Sequence, residues 1–299
     1  MELLALIAAI AMAAVAILSL GGGQTADEHP SYDYPDGVAV DGEAGTVSME
    51  GAGTWYVLDL TAPYGTAADG DLEVAGWETM HGDTIRLDPG IYTLRTGDLE
   101  FDVVIGGEIR REASWQYDLD GTVHTVSVAY GIDPHELYAE YLVAEAYNGE
   151  NSVGGEDTRR FSDLPGLATG SDTVDSLVDS LISEFGRIGG DAGDRQALAD
   201  FLASFPQLAI EYPDRVYEGG SIAGEDMEIY GADEYWAAPL QTLAMMKGDC
   251  EDTAVLPAAM YASAGYDAAV GGTNGHVFAG VAIPGFEEVP AERLDDLGY

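Results

Sequence analysis

Carboxylates outnumber basic side chains by 54 to 11 in this chain, leaving a formal charge of -43. Any compact state must hold those acids apart while closing a core around the 46% of residues that are apolar. That apolar share is too high for a simple acidic disordered chain, so the balance describes a folded protein with a carboxylated surface. Self-repulsion on this scale destabilises a compact state in dilute buffer. It is relieved at about 1 M salt, where the Debye length falls to roughly 3 Å.

High salt is therefore the expected setting. The basic residues are nearly all arginine, Lys247 being the only lysine, and such acid-rich, lysine-poor surfaces resemble those of proteins from salt-accumulating archaea. Nucleic acid is excluded as a partner. Phosphate binding needs clustered Lys or Arg, and only the pairs Arg110-Arg111 and Arg159-Arg160 occur.

The 299 residues allow about two domains. The run from Leu3 to Leu20 is uncharged, near the lower end of the roughly 20 residues a helix needs to cross a bilayer. It reads as an uncleaved transmembrane anchor over residues 1–20. A cleaved signal peptide is the competing reading, but the basic n-region is missing and Ser19-Leu20-Gly21 is a poor cleavage site. No Lys or Arg flanks the run to set its direction. A single-pass cell-membrane protein with its acidic body outside the cell is the expectation. Residues 21–37, rich in Gly, Pro and Asp, suit a linker that lifts the body off the membrane.

Short β-branched and aromatic segments follow, Thr54 to Leu60, Asp83 to Leu87, Ile91 to Leu94 and Glu100 to Ile105, separated by turn residues. A further pair, Ser114 to Leu119 and Thr122 to Ala129, flanks Asp120-Gly121, a strong hairpin signal. Residues 38–130 are expected to form a β-rich domain. His81 and His124 are isolated and read as surface or packing residues, so no metal or other cofactor is expected. Residues 131–299 turn helical. Asp133 is a plausible N-cap, with apolar stripes over His135 to Tyr147, Asp172 to Ile188 and Asp194 to Phe205. The expected class is α+β.

Cys250 is the only cysteine, so no intramolecular disulfide is possible. A lone cysteine is often just a small buried apolar residue. Its neighbours give it another reading. Gly248-Asp249 breaks a helical run, Cys250 opens a new one, and Gly265 ends it. A helix N-terminus favours a thiolate and can serve a developing oxyanion, although Asp249, Glu251 and Asp252 oppose it. Two strands, Asp267 to Gly271 and His276 to Ile283, follow around the turn pair Asn274-Gly275. His276 at the start of the second could deprotonate the thiol. Asp252 could cap the helix. The three acids lack the spacing of a calcium loop, and solvated acidity is the simpler account of them.

The Gly248–Asp252 box GDCED, Tyr235-Trp236 and Pro239 before it, the Ala264-Gly265-Tyr266 helix exit and Gly275-His276-Val277 together resemble the archaeal transglutaminase-like cysteine proteases. The likeness is strongest over residues 195–283, and weaker over the Trp115 to Tyr130 hairpin and the Tyr-rich helix after it. It implies a papain-like α+β core with Cys250 as nucleophile, His276 as base and a carboxylate on the next strand. Here that strand is missing from the pattern: the acid lies in a longer natural chain, or Asp295 or Asp296 substitutes for it, or His276 has no orienting carboxylate. Trp236 could line the substrate cleft or simply anchor the helix before the cysteine. The function implied is hydrolysis of peptide or amide bonds in a protein or peptide substrate. The alternative is a non-catalytic envelope binding or assembly module that retains the fold.

Overall fold

The computed structural model describes residues 32, 34–64, 76–151, 163–213, 217–218, 221–222, 226–232, 234–273 and 276–286. The apolar run at residues 3–20, and Asp295 and Asp296, lie outside them. Among the described residues no helix is long and apolar enough to cross a membrane. The fold is α+β, with strands and helices segregated along the chain.

Two antiparallel sheets come first. One has the order β1 (Val38–Asp41), β2 (Thr46–Met49), β5 (Thr84–Arg86); the other the order β4 (Trp77–His81), β3 (Thr54–Asp59), β6 (Gly90–Thr96), β7 (Leu99–Ile105). In β3 the buried Trp55 and Val57 alternate with exposed Tyr56, as a strand with one face in a core requires. Trp55, Val47, Ile85, Leu94, Val103 and Ile105 share that core. The strands β1, β2 and β4 carry no clear signal in sequence. Of these, β1 and β4 are sheet edges, and β4 (WETMH) buries no residue fully, so it needs no apolar alternation.

The long hairpin of β8 (Ile109–Leu119) and β9 (Thr122–Ile132) turns at Asp120-Gly121, whose φ angles of 53° and 80° are those a two-residue type I′ turn demands. Its inner face packs on α2 (Asp172–Arg187) and α3 (Arg195–Leu208). Trp115 stands edge-on to Phe205 at 5.7 Å, and its indole N–H donates to Ser204 Oγ at 2.9 Å. The hairpin therefore contributes to the helical core rather than to the small β core.

The helices start where their caps direct. At α1 (Pro134–Asn151), Asp133 accepts from His135 N at 2.8 Å with Pro134 in first position. Ser171 caps α2 through Val174 N (3.2 Å) and Asp194 caps α3 through Ala197 N (3.1 Å). The stripe Val174, Leu177, Val178, Leu181 and Phe185 is buried as expected. The end of the expected linker is not free. Tyr32 hydrogen-bonds His135 Nδ1 at 2.6 Å and lies 5.6 Å from the Tyr138 ring, because two tyrosines in this stretch have apolar surface to bury.

After a 3-10 turn at Leu164–Gly166 and the two-residue strands β10 (Tyr217–Glu218) and β11 (Ser221–Ile222), the chain enters α4 (Met227–Tyr230), α5 (Pro239–Met245), α6 (Asp252–Ser263), β12 (Asp267–Thr273) and β13 (His276–Ala282).

Candidate active site

The segment before the cysteine is fixed at both ends. Every residue of α5 is buried. At its start, Leu240 N donates to Glu140 of α1 at 2.8 Å. At its end, Arg111 Nε donates to Ala244 O at 2.7 Å and Tyr130 Oη to Leu243 O at 3.0 Å. A cation on the last carbonyls is favoured by the helix dipole. Termination falls at Met246, which takes the left-handed conformation (φ 54°), two residues before the expected Gly248. Lys247 then pairs with Glu211 (2.9 Å) and Glu228 (2.7 Å).

Gly248 is dictated by packing. A Cβ there would stand 2.7 Å from Asp252 Cβ. Cys250 lies in the turn that leads into α6, since Thr253 N already bonds Asp249 O at 3.0 Å and Val255 N bonds Glu251 O at 2.8 Å. Thr253 N and Ala254 N are thus already engaged, the latter by Glu251 O at 3.1 Å, so an anion near Cys250 would have to be met by N–H groups ahead of them in the turn.

The hairpin returns the chain to this end. Gly265 (φ 74°) ends α6, and β12 and β13 pair antiparallel with Thr273 opposite His276. Both strands pack on α6. Twelve helical residues rise about 17 Å and seven strand residues span about 20 Å. The strand β12 therefore runs back toward the level of the helix start, and β13 begins at His276, paired with the last residue of β12. Cys250 is half-buried and His276 exposed.

The acids beside Cys250 are not solvated, contrary to the sequence expectation. Asp249 is 5% exposed, Glu251 4% and Asp252 0%. The Cys250 thiol donates to Glu251 Oε2 at 3.1 Å. Asp252 does not cap α6. It turns back into the protein, accepting from Ala237 N and Tyr230 Oη, each at 3.1 Å. Asp226, at the start of α4, is 1% exposed and accepts from Tyr235 N at 2.6 Å. Burial is the first cause that raises the proton affinity of these carboxyls, and their mutual repulsion adds to it. Asp226 is pushed up to about 10, by burial and then by Asp252 and Asp249. Glu251 and Asp252 are raised as well, by burial and then by Asp249.

Trp236 is buried, stacked on Tyr147 at 5.5 Å, and its indole N–H donates to Glu234 Oε1 at 2.9 Å. Asn148 of α1 clamps its backbone from both sides (3.0 and 3.1 Å). These contacts are those of a residue that anchors the segment before α5. Asp226, Tyr230 and Glu234 were not readable as site residues. They sit in an acidic stretch that looks like surface, and only the fold brings them to the box at Gly248–Asp252. Comparison with known proteins finds no family model, no curated protein and no solved structure that matches the chain.

Proposed function

We propose that the chain is a membrane-anchored cysteine acyl-transfer enzyme of the transglutaminase-like class, with a papain-like core, Cys250 as nucleophile and His276 as base. What supports this most is the unit of α6 with the β12–β13 hairpin: Cys250 leads into the helix, both strands pack on that helix, and the second strand begins at His276. His276 takes the Sγ proton as sulfur attacks an amide carbonyl, and N–H groups ahead of Thr253 in the entry turn receive the oxyanion. The C–N bond breaks as the imidazolium returns the proton to the leaving amine, which leaves a thioester on Cys250. Water then adds with the imidazole as base, releasing the carboxylic acid and restoring the thiol. Asp295 or Asp296 is the candidate for orienting His276. The anchor at residues 1–20 would hold the acidic body outside the cell, facing protein or peptide substrates.

A non-catalytic envelope module is the competing reading, favoured by the thiol's hydrogen bond to the Glu251 carboxylate. Hydrolysis of a pool of fluorogenic peptide amides at molar salt separates the two. Turnover is expected to vanish in Cys250→Ala and to fall at least ~100-fold in His276→Ala, with melting unchanged. Undiminished turnover in Cys250→Ala would sink the enzyme reading.

A further inference from the structure

Asp226, Glu251 and Asp252 are buried together beside Cys250. Ligand oxygens of Asp226, Asp249 and Asp252 lie within 4.8 Å of one another, and so do those of Asp226, Glu234 and Glu251. All of these residues but Glu234 are buried. Anions this close and this far from water repel at a low effective dielectric, and natural proteins pair or neutralise them. Among the described residues, no ion pair reaches Asp226, Glu251 or Asp252. The nearest lysine in sequence, Lys247, is committed to Glu211 and Glu228.

Two oxygens make the point independently of the clustering. Asp226 Oδ1 and Glu251 Oε1 are buried and have no hydrogen-bond partner among the described residues. Buried acceptors of a carboxylate are normally satisfied, because leaving one bare costs about 1–3 kcal/mol or more. Their sister oxygens are already held: Asp226 Oδ2 by Tyr235 N, and Glu251 Oε2 by the Cys250 thiol. Asp252 is likewise fixed by Ala237 N and Tyr230 Oη. Buried carboxylates oriented by outer hydrogen bonds, with one oxygen of Asp226 and one of Glu251 left over, are what metal ligands look like before the metal is added.

We propose that Asp226, Asp249, Glu251 and Asp252, with Glu234 at the rim, hold a single calcium-sized divalent cation. An all-carboxylate set selects a hard cation. Calcium takes about six to eight oxygen ligands, carboxylates among them, whereas magnesium keeps several waters and takes only one or two carboxylates. The site is discontinuous in sequence, so the loop spacing that argues against calcium in the box at Gly248–Asp252 does not apply to it. The proposal stands without the catalytic reading of Cys250, and His276→Ala, which should lower turnover, is expected to leave cation binding intact.

Trp236 supplies the readout, since its indole is bonded to Glu234 at the rim. The full chain, stripped with chelator and kept at about 1 M potassium chloride to screen the surface acids, is titrated with terbium while tryptophan is excited. Sensitised emission should saturate at one ion per chain and be displaced by calcium. Asp226→Asn should weaken calcium competition at least ~10-fold, whereas Asp98→Asn, at an exposed acid, should not. Emission that never saturates, or is unchanged in Asp226→Asn, would assign the ions to the general acidic surface and overturn the proposal. Displacement by zinc alone, lost in Cys250→Ser, would overturn the choice of a hard cation. Should Asp226→Asn not fold, the wild-type melting temperature decides: it should rise with calcium over chelator, and equality of the two would sink the site.

Discussion

Glu140 and the acids beside Cys250 are both buried carboxylates, and they solve the problem of burial in opposite ways. Glu140 is 6% exposed, yet each of its oxygens meets a donor: Thr169 Oγ1 and Leu240 N, each at 2.8 Å. It joins α1 to the start of α5 and is complete in itself. At Asp226 and Glu251, the second oxygen of each carboxylate meets no donor among the described residues, and the neighbours are further acids. Burial of acid is common to both places and so marks neither as a site. What separates them is whether each oxygen meets a donor.

The largest effect should come from breaking the complete one. Glu140→Ala leaves Leu240 N and the Thr169 hydroxyl without their acceptor and opens a void between α1 and α5. A loss of about 3 kcal/mol in denaturant titration is expected near pH 5, and a loss below about 1 kcal/mol would make Glu140 no more than a passenger. The conservative change has a different signature. Burial pushes Glu140 up to about 8 from its ordinary 4.5, despite the donors that pull it down. The folded chain thus keeps a proton that the unfolded chain releases, so this residue's contribution is greatest below 4.5 and is lost as pH rises toward 8. Glu140→Gln mimics the protonated side chain, with its amide reaching Thr169 and its oxygen accepting from Leu240. It should be neutral near pH 5 and more stable than the parent at pH 8, by roughly 3 kcal/mol. Parallel stability curves for the two proteins would contradict that account.

Part of this contrast was legible in sequence and part was not. The helix opening near Cys250, its end at Gly265 and the hairpin that brings back His276 follow from local rules, namely breakers, apolar spacing and a two-residue turn. The same rules located the Asp120-Gly121 hairpin and the cap at Asp133. They failed where tertiary contacts decide. A run such as Asp249-Cys250-Glu251-Asp252 in a chain of charge -43 looks like solvated surface, and nothing local shows that Ala237 N and Tyr230 Oη draw Asp252 inward. Likewise β4 is polar because it is an edge, and Asp226 has no spacing relation to Asp249. Side chains that serve one another across the fold leave no periodicity.

The smallest effect is the most diagnostic, because its sign depends on solution conditions. In chelator, Asp226→Asn removes one of several crowded, buried acids. The amide oxygen can still accept from Tyr235 N, and the new N–H groups can donate to Asp249 or Asp252. The variant should then be more stable than the parent by about 1 kcal/mol, opposite in sign to any truncation of Glu140. Saturating calcium should reverse the order, since the parent gains the binding free energy of the ion and the variant loses a ligand. Thermal unfolding of both proteins with and without calcium gives four melting temperatures. If the acids near Cys250 were instead neutralised by shared protons, calcium would leave all comparisons unchanged, and Asp226 would belong with Glu140 after all.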